Sequence, residues 1–336
     1  GFAQSSQSVV AGNDASVLEF RYEGTSIKYT PIVSDVDSYS SISYTWKSIE
    51  EDVTTDLGSS ASLEYNIPMI GETTGKLVDI FVDIKGEPKK SSVLPLDTTI
   101  HYVLYVYAKS NIEPSDYHSV LYVGDEVTLS FTETGGKDGA WSYNWSSGAT
   151  TKNCSFKPTQ AGDQKVTVVV KNTLGNSDAQ YDFSDTLVYT IKVWDKCSVS
   201  IEEPQGGFNG YEKDTCTYTP TISGGDSDKW TYEWYVDNVK VSDELSCSIP
   251  TPNVGSAENV ILAVKLKVTN TPDGIYKPFV DFLQFNLTIW PHGGVEKLDV
   301  ERIYYHGDNV TLAVKPRKGF PGGWLYQWTK QGDSKL

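Results

Sequence analysis

One five-residue pattern recurs four times and limits what this chain can fold into. The copies are Ile42-Ser43-Tyr44-Thr45-Trp46, Trp141-Ser142-Tyr143-Asn144-Trp145, Trp230-Thr231-Tyr232-Glu233-Trp234 and Trp324-Leu325-Tyr326-Gln327-Trp328. In each, a large apolar residue alternates with a mostly polar one. A strand sends successive side chains to opposite faces, so the three large residues share a face and are expected to bury together. On a helix the same positions would scatter around the circumference. The last Trp falls at 46, 145, 234 and 328, intervals of 99, 89 and 94. Solenoid units repeat at only ~20–50 residues, so this period marks whole domains. Trp46, Trp141, Trp145, Trp230, Trp234, Trp324 and Trp328 are the expected structural core.

Around each Trp strand the chain repeats the same order. Val78, Ile80, Val82 and Ile84 alternate with Asp79, Phe81 and Asp83, and a closing strand carries Ile100, Tyr102, Leu104 and Val106. The next two repeats match these with Val166, Val168 and Val170 ahead of Lys171-Asn172, and with Val264, Leu266 and Val268 ahead of Thr269-Asn270. Each full repeat reads as about seven short strands separated by turn residues, the pattern of a two-sheet sandwich. No helical stretch separates the strands, which argues against a parallel α/β fold. The expected divisions are a leader over 1–15, domains over 16–108, 109–195 and 196–291, and a partial fourth over 292–336 holding its first three strands. That fourth repeat is expected to be a truncated domain, or else a half that packs on a neighbour. Connections between repeats are only a few residues long, which predicts a stiff, elongated rod. Tyr107, Trp194 and Trp290 end the closing strands. They are expected at the joints, or as outward caps on their own domains.

Composition narrows the function. With 28 Lys and Arg against 44 Asp and Glu, the net charge is −16, which argues against nucleic acid, whose phosphates require clustered cations. No run of ~18 apolar residues is long enough for a membrane-spanning helix. Four Cys are too few for a disulfide scaffold. Ala3, ahead of a polar leader, suits the end of a processed export signal, so an exported chain is expected at the cell surface or in the periplasm or extracellular space.

The strand order, the Trp in the third strand and the period resemble immunoglobulin-like sandwiches. The Trp-x-Tyr-x-Trp strand after a Gly/Asp turn, as in Gly135-Gly136-Lys137-Asp138-Gly139 and Gly224-Gly225-Asp226-Ser227-Asp228, resembles the Ig-like and PKD-like repeats of bacterial surface and adhesion proteins. The fold expected is therefore all-β, as tandem Ig-like β-sandwiches. PKD repeats usually follow the Trp with Gly-Asp-Gly, which is missing here. Antibody-type domains bridge the second and sixth strands by a disulfide; here the second-strand position holds Ile27, Val127, Cys216 and Val310, and the sixth strand has no Cys. The resemblance implies a non-catalytic protein for adhesion, presentation or spacing, with a protein or glycan as partner.

The candidate chemistry is sparse. Cys216 and Cys247 lie on neighbouring strands of the third repeat and read either as buried thiols or as a disulfide. No Cys/His cluster has zinc spacing. Asp35 with Asp37, Asp138, and Asp226 with Asp228 recur in the turns before the Trp46, Trp145 and Trp234 strands. They read either as calcium ligands or as residues wanted for turn geometry; no other cofactor is expected. The loops over 87–98, 173–185 and 271–281 differ most between repeats. Tyr181, Phe183, Ile275, Tyr276 and Phe279 in them are the candidate binding residues, for a sugar ring or a protein partner. The other reading is that they fold back onto the sandwich rim. The four His, at 101, 118, 292 and 306, are scattered and support no catalytic triad.

Overall fold

Alternation of large and polar residues becomes strand along most of the chain. The computed structural model describes residues 9–10, 18–71, 75–299 and 303–329. Apart from residues 9–10, the expected leader lies outside the described residues, as does 330–336. The chain divides into two compact units. One comprises Gly1–Tyr117, Glu126–Phe156 and Gln164–Ile191; the other comprises His118–Asp125, Lys157–Asp163 and Lys192–Leu336. Each is taken by itself.

The first sandwich is built from β1 (Val9–Val10), β2 (Leu18–Tyr22), β3 (Ser26–Tyr29), β4 (Ile32–Val33), β5 (Tyr39–Glu50), β6 (Val53–Gly58), β7 (Leu63–Asn66), β8 (Lys76–Pro88) and β9 (Leu96–Tyr107). One sheet runs in the order β2-β9-β8-β5-β6, with only β2 and β9 parallel. The other layer pairs β3 with β7, and β1 pairs with β4. The inward side chains of the two layers meet in one core, with Tyr29, Trp46, Ile80, Val82, Ile84, Tyr102 and Leu104 fully buried. The rings of Tyr29 and Tyr102 lie 4.3 Å apart, and both pack on Trp46.

The same plan follows with β10 (Asn111–Pro114), β11 (Val120–Tyr122), β12 (Val127–Leu129), β13 (Phe131–Thr134), β14 (Trp141–Trp145), β15 (Cys154–Phe156), β16 (Gly162–Asn172) and β17 (Phe183–Trp194). The larger sheet has the order β11-β17-β16-β14, and β10 pairs with β13 and β12 with β15. In the second unit the plan repeats with β18 (Ser198–Ser200), β19 (Asn209–Tyr211), β20 (Thr215–Tyr218), β21 (Thr221–Ser223), β22 (Trp230–Val236), β23 (Val239–Ser242), β24 (Cys247–Pro250), β25 (Val260–Asn270) and β26 (Phe279–Trp290). Here the order is β19-β26-β25-β22-β23, with β20 on β24 and β18 on β21. Among the described residues, nine, eight and nine strands exceed the expected seven. The first strand splits, pairing once in each layer, and the second breaks in two. The chain is thus all-β, a tandem series of Ig-like sandwiches.

Trp46, Trp145 and Trp234 are each at most 2% exposed. A buried indole N–H needs an acceptor. Each finds a backbone carbonyl, on Ser60 at 2.7 Å, Thr151 at 2.8 Å and Glu244 at 3.0 Å.

Other members of the expected core are placed differently. Trp141 and Trp230 are only half-buried, because they open β14 and β22 at the end of the sandwich, where the inner layers no longer cover them. Trp324 is half-buried and Trp328 is 42% exposed, in a segment that forms no strand. The physical reason is the missing ladder. In the other repeats the Trp strand pairs with β8, β16 or β25, and among the described residues nothing plays that part for 324–328. Among its described residues the fourth repeat forms one antiparallel pair, β27 (Gly294–Lys297) with β28 (Val314–Arg317).

All four cysteines are free thiols. The register explains why Cys216 and Cys247 are not bridged: Cys216 lies opposite Ile249, and Cys247 lies opposite Tyr218. Burial pushes both thiols up from their ordinary pKa, which fits inert packing residues.

Candidate functional site

Each long central strand of the second and third sandwiches ends in a fully buried asparagine, Asn172 on β16 and Asn270 on β25. The ladder sets them opposite Trp141 and Trp230. A buried amide must satisfy its donors and its acceptor. Asn172 does so on the turn beside it: Oδ1 accepts from the Lys137 N–H at 2.9 Å, and Nδ2 donates to the Lys137 carbonyl at 2.9 Å. Asn270 repeats this with Asp226, at 3.1 and 2.8 Å. One acceptor site stays open on each amide oxygen.

A tyrosine at the end of the preceding sandwich's first parallel strand fills it. Within the first unit, Tyr22 donates its hydroxyl to Asn172 Oδ1 at 2.8 Å, with the Asn172 carbonyl at 3.1 Å. Within the second unit, Tyr122 does the same to Asn270, at 2.8 and 2.9 Å. Burial raises both phenol pKa values above their ordinary value; for Tyr122 the adjacent Cys197 thiol adds to it.

The glycine turn lets the two backbones approach. Gly136 donates its N–H to the Ala108 carbonyl, and Gly225 donates to that of Asp195, each at 2.9 Å. Both glycines have positive φ, +76° and +64°. A β-carbon on Gly136 would lie 2.6 Å from Ser110 Oγ and 2.8 Å from the Asn172 side chain; on Gly225 it would lie 2.3 Å from Asn270 Oδ1 and 2.7 Å from Cys197 Sγ. Glycine is the residue that such a position admits.

The candidate loop residues gather at these joints. Phe183 meets Trp141 edge-on at 5.8 Å, and Phe279 meets Trp230 at the same distance. The Tyr181 ring covers the buried Arg21 guanidinium at 3.4 Å. Tyr276 donates its N–H to the Val120 carbonyl at 2.9 Å and packs on His118 at 4.1 Å. Ile275 closes a turn on the Pro272 carbonyl. All five are half-buried. Asn176, in the same loop as Tyr181, exchanges two hydrogen bonds with the Phe20 backbone, at 3.0 and 2.7 Å.

Two of them border an opening. A cleft of about 640 Å³ in the first unit is lined by Arg21, Lys109, Met69, Tyr181 and Phe183, among others. Two of the five candidate residues thus share one cleft, while Ile275, Tyr276 and Phe279 lie on the later joint.

The acidic turns make local bonds. Asp35 adopts a left-handed conformation and its carbonyl accepts the Ser38 N–H; Asp37 sits in the short turn between. Asp226 Oδ1 accepts from the Asp228 N–H, and Asp138 is exposed. No cluster of three or more His, Cys, Asp or Glu groups occurs among the described residues.

Tyr107, Trp194 and Trp290 contribute through their carbonyls, which accept the N–H groups of Glu23, Val123 and Glu212 just past each joint tyrosine. The Tyr107 ring stacks on Phe20 of its own sandwich, and the Trp290 ring meets Phe320 of the fourth repeat.

Sequence reading missed Tyr22, Tyr122, Asn172 and Asn270 as functional positions. The signal was present: an Asn ends the same strand in two repeats, and Tyr-Glu or Tyr-Val opens each first turn.

No family model matches the chain, and no curated protein does. Solved structures with similar architecture include Drosophila OTK extracellular domains 3–5, at 12% identity over 86% of this chain and 98% of that one, with a TM-score of 0.34. An ICAM-5 D1–D4 ectodomain fragment matches at 7% identity over 94% and 99%, with a TM-score of 0.39. The Clostridium thermocellum CbhA fibronectin(III)-like modules match at 12% over 55% and 95%, with a TM-score of 0.28. The Ig-like assignment rests on the strand order and register above.

Proposed function

We propose that this chain is a non-catalytic, exported cell-surface protein that presents or adheres through tandem Ig-like sandwiches, with its domain divisions at about residues 108, 195 and 291. The supporting observation is the repeated lock of Tyr22 on Asn172 and Tyr122 on Asn270. A buried, doubly satisfied polar contact of this kind fixes geometry more than it adds stability. Spending two such contacts, and most loop aromatics, on joints suits a protein whose work is to hold its sandwiches in register. The partner class is a protein ligand at a surface; the bacterial, PKD-like kinship is part of this reading.

The test is adhesion. Beads coated with the chain should bind a panel of immobilised extracellular proteins and cell surfaces, with binding competed by soluble chain. Binding no greater than that of bare beads would count against the proposal.

A second reading is glycan binding, favoured by the cleft that brings Tyr181 and Phe183 beside Arg21 and Lys109. An aromatic flanked by polar groups suits a sugar ring. Saturable binding on a glycan array, lost on Phe183→Ala, would support it; loss on Tyr276→Ala would move the sugar site to the later joint. Calcium at the acidic turns belongs to this reading as a proposal, tested by a melting shift on adding calcium or EDTA.

A further inference from the structure

The three closing strands differ in what covers the edge of one residue. Four positions before the end of each stands Val103 on β9, Thr190 on β17 and Asn286 on β26. In the first sandwich β2 reaches far enough to pair there, with Leu18 opposite Val103. In the second, β11 begins with Val120 opposite Lys192, so a side chain takes over. The Tyr117 hydroxyl donates to the Thr190 carbonyl at 3.3 Å and accepts the Thr190 N–H at 3.2 Å. A hydroxyl is both donor and acceptor, so one group serves both needs. The Tyr117 ring packs edge-on against Tyr189 at 5.0 Å.

In the third sandwich that hydroxyl is missing. β19 begins with Asn209 opposite Thr288, and the Thr288 N–H donates to the Phe208 carbonyl at 2.9 Å. Alternate residues of a strand turn their backbone groups to the same edge, so those of Asn286 face the same way. They have no partner among the described residues. Gly206 stands where Tyr117 does, five residues before the joint tyrosine. Phe208 fills the ring place instead, stacked on Phe285 at 3.9 Å, and brings no hydroxyl.

A cleft of about 450 Å³ opens at this edge. The loop before β19 spans eight residues, 201–208, against five, 115–119, in the second sandwich, and it turns on itself where the Gly207 N–H donates to the Pro204 carbonyl. Half-buried Leu283 and Phe285 form an apolar wall, and exposed Glu203, Gln284 and Asn286 form a polar rim. Those three rim side chains make no hydrogen bond to another described residue, and the lining holds no Lys, Arg or His.

We propose that this cleft binds a neutral hexose residue of a glycan. One sugar hydroxyl bridges the Asn286 N–H and carbonyl as the Tyr117 hydroxyl bridges those of Thr190. Neighbouring hydroxyls meet Glu203 and Gln284, and the C–H face of the ring lies on Leu283 and Phe285. Because Phe208 already holds the ring place, the edge lacks a hydroxyl rather than an aromatic side chain. A rim carboxylate with no cation beside it disfavours acidic sugars. The proposal rests on the glycan reading for its class of ligand and places it in a different cleft from that of Tyr181 and Phe183.

The probes are the methyl pyranosides of glucose, galactose and mannose, titrated into the full chain while NMR follows the amides of Gln284 and Asn286. At least one should give saturable shifts there in the millimolar range. Its deoxy analogue lacking the bridging hydroxyl should bind about tenfold more weakly, and Glu203→Ala and Gln284→Ala should each weaken binding about fivefold. Both variants lie on the exposed rim and leave the core untouched. Phe183→Ala should leave these shifts unchanged. No saturable shift with any of the three sugars would overturn the proposal, as would affinity unchanged in every deoxy analogue and both rim variants. Sugar binding lost on Phe183→Ala, with Gln284 and Asn286 unmoved, would overturn this site and keep the glycan reading.

Discussion

Tyr22 reaches across 150 residues of sequence to place its hydroxyl 2.8 Å from Asn172 Oδ1. Tyr122 reaches Asn270 at the same distance across 148 residues. In both cases the amide has already closed the neighbouring turn, so the tyrosine completes a hydrogen-bond set rather than starting one. A network that is fully satisfied rigidifies its surroundings, and one left partly satisfied is costly.

The turn glycines are the most sensitive backbone positions in this arrangement. Gly225→Ala places a methyl 2.3 Å from Asn270 Oδ1 at positive φ. Loss of about 2 kcal/mol or more is expected in chemical denaturation, combining left-handed strain with overpacking. Gly124→Ala is the control. It also has positive φ, but the added carbon meets nothing within 4 Å, so about 1 kcal/mol is expected.

The joint phenols carry a pH signature. Burial raises the folded pKa of Tyr22 and Tyr122 above 10.0. A raised folded pKa means the contribution is fully present below the unfolded value and is lost as pH rises through the folded one. Stability should therefore be insensitive to these groups at neutral pH and fall above about pH 10, by up to about 1.4 kcal/mol per pH unit for each tyrosine. Other buried tyrosines add to the fall; Tyr102 and Tyr189 are both pushed up to about 12. The check is the difference in slope between the native chain and Tyr22→Phe/Tyr122→Phe, with a shallower alkaline limb in the double variant.

The first sandwich buries an ion pair. Arg21 contacts Glu19 at 2.8 Å, with side chains 5% and 10% exposed. Leu121 and Gly210 occupy the matching position before the joint tyrosine in the next two repeats. Removing one partner strands the other charge, so Arg21→Ala should cost about 3–5 kcal/mol. Replacing both, as Glu19→Leu/Arg21→Met, should be near neutral in the same melt. A double variant as damaged as the single would point to the Tyr181 stack on Arg21 as the larger contribution.

Sequence periodicity was enough for the strands and for Trp46, Trp145 and Trp234, because an alternating ladder and a buried indole depend on residues within one sandwich. It misplaced Trp328, because burial there requires a neighbouring strand that the pattern Trp-x-Tyr-x-Trp cannot supply by itself. The Asn172 and Asn270 joints were harder to read. A terminal asparagine is common turn chemistry, and only the tertiary approach of Tyr22 and Tyr122 turns it into a lock. Tyr181, Phe183, Ile275, Tyr276 and Phe279 were visible as variable loop residues. That they border a joint follows from strand register, which periodicity does not encode.

The central claim is that Tyr22 and Asn172 act as one unit. A double-mutant cycle on the full chain, with Tyr22→Phe, Asn172→Ala and both together followed by denaturant unfolding, measures that coupling directly. A coupling energy of about 1–2 kcal/mol is the predicted result. Strict additivity of the two substitutions would contradict the account.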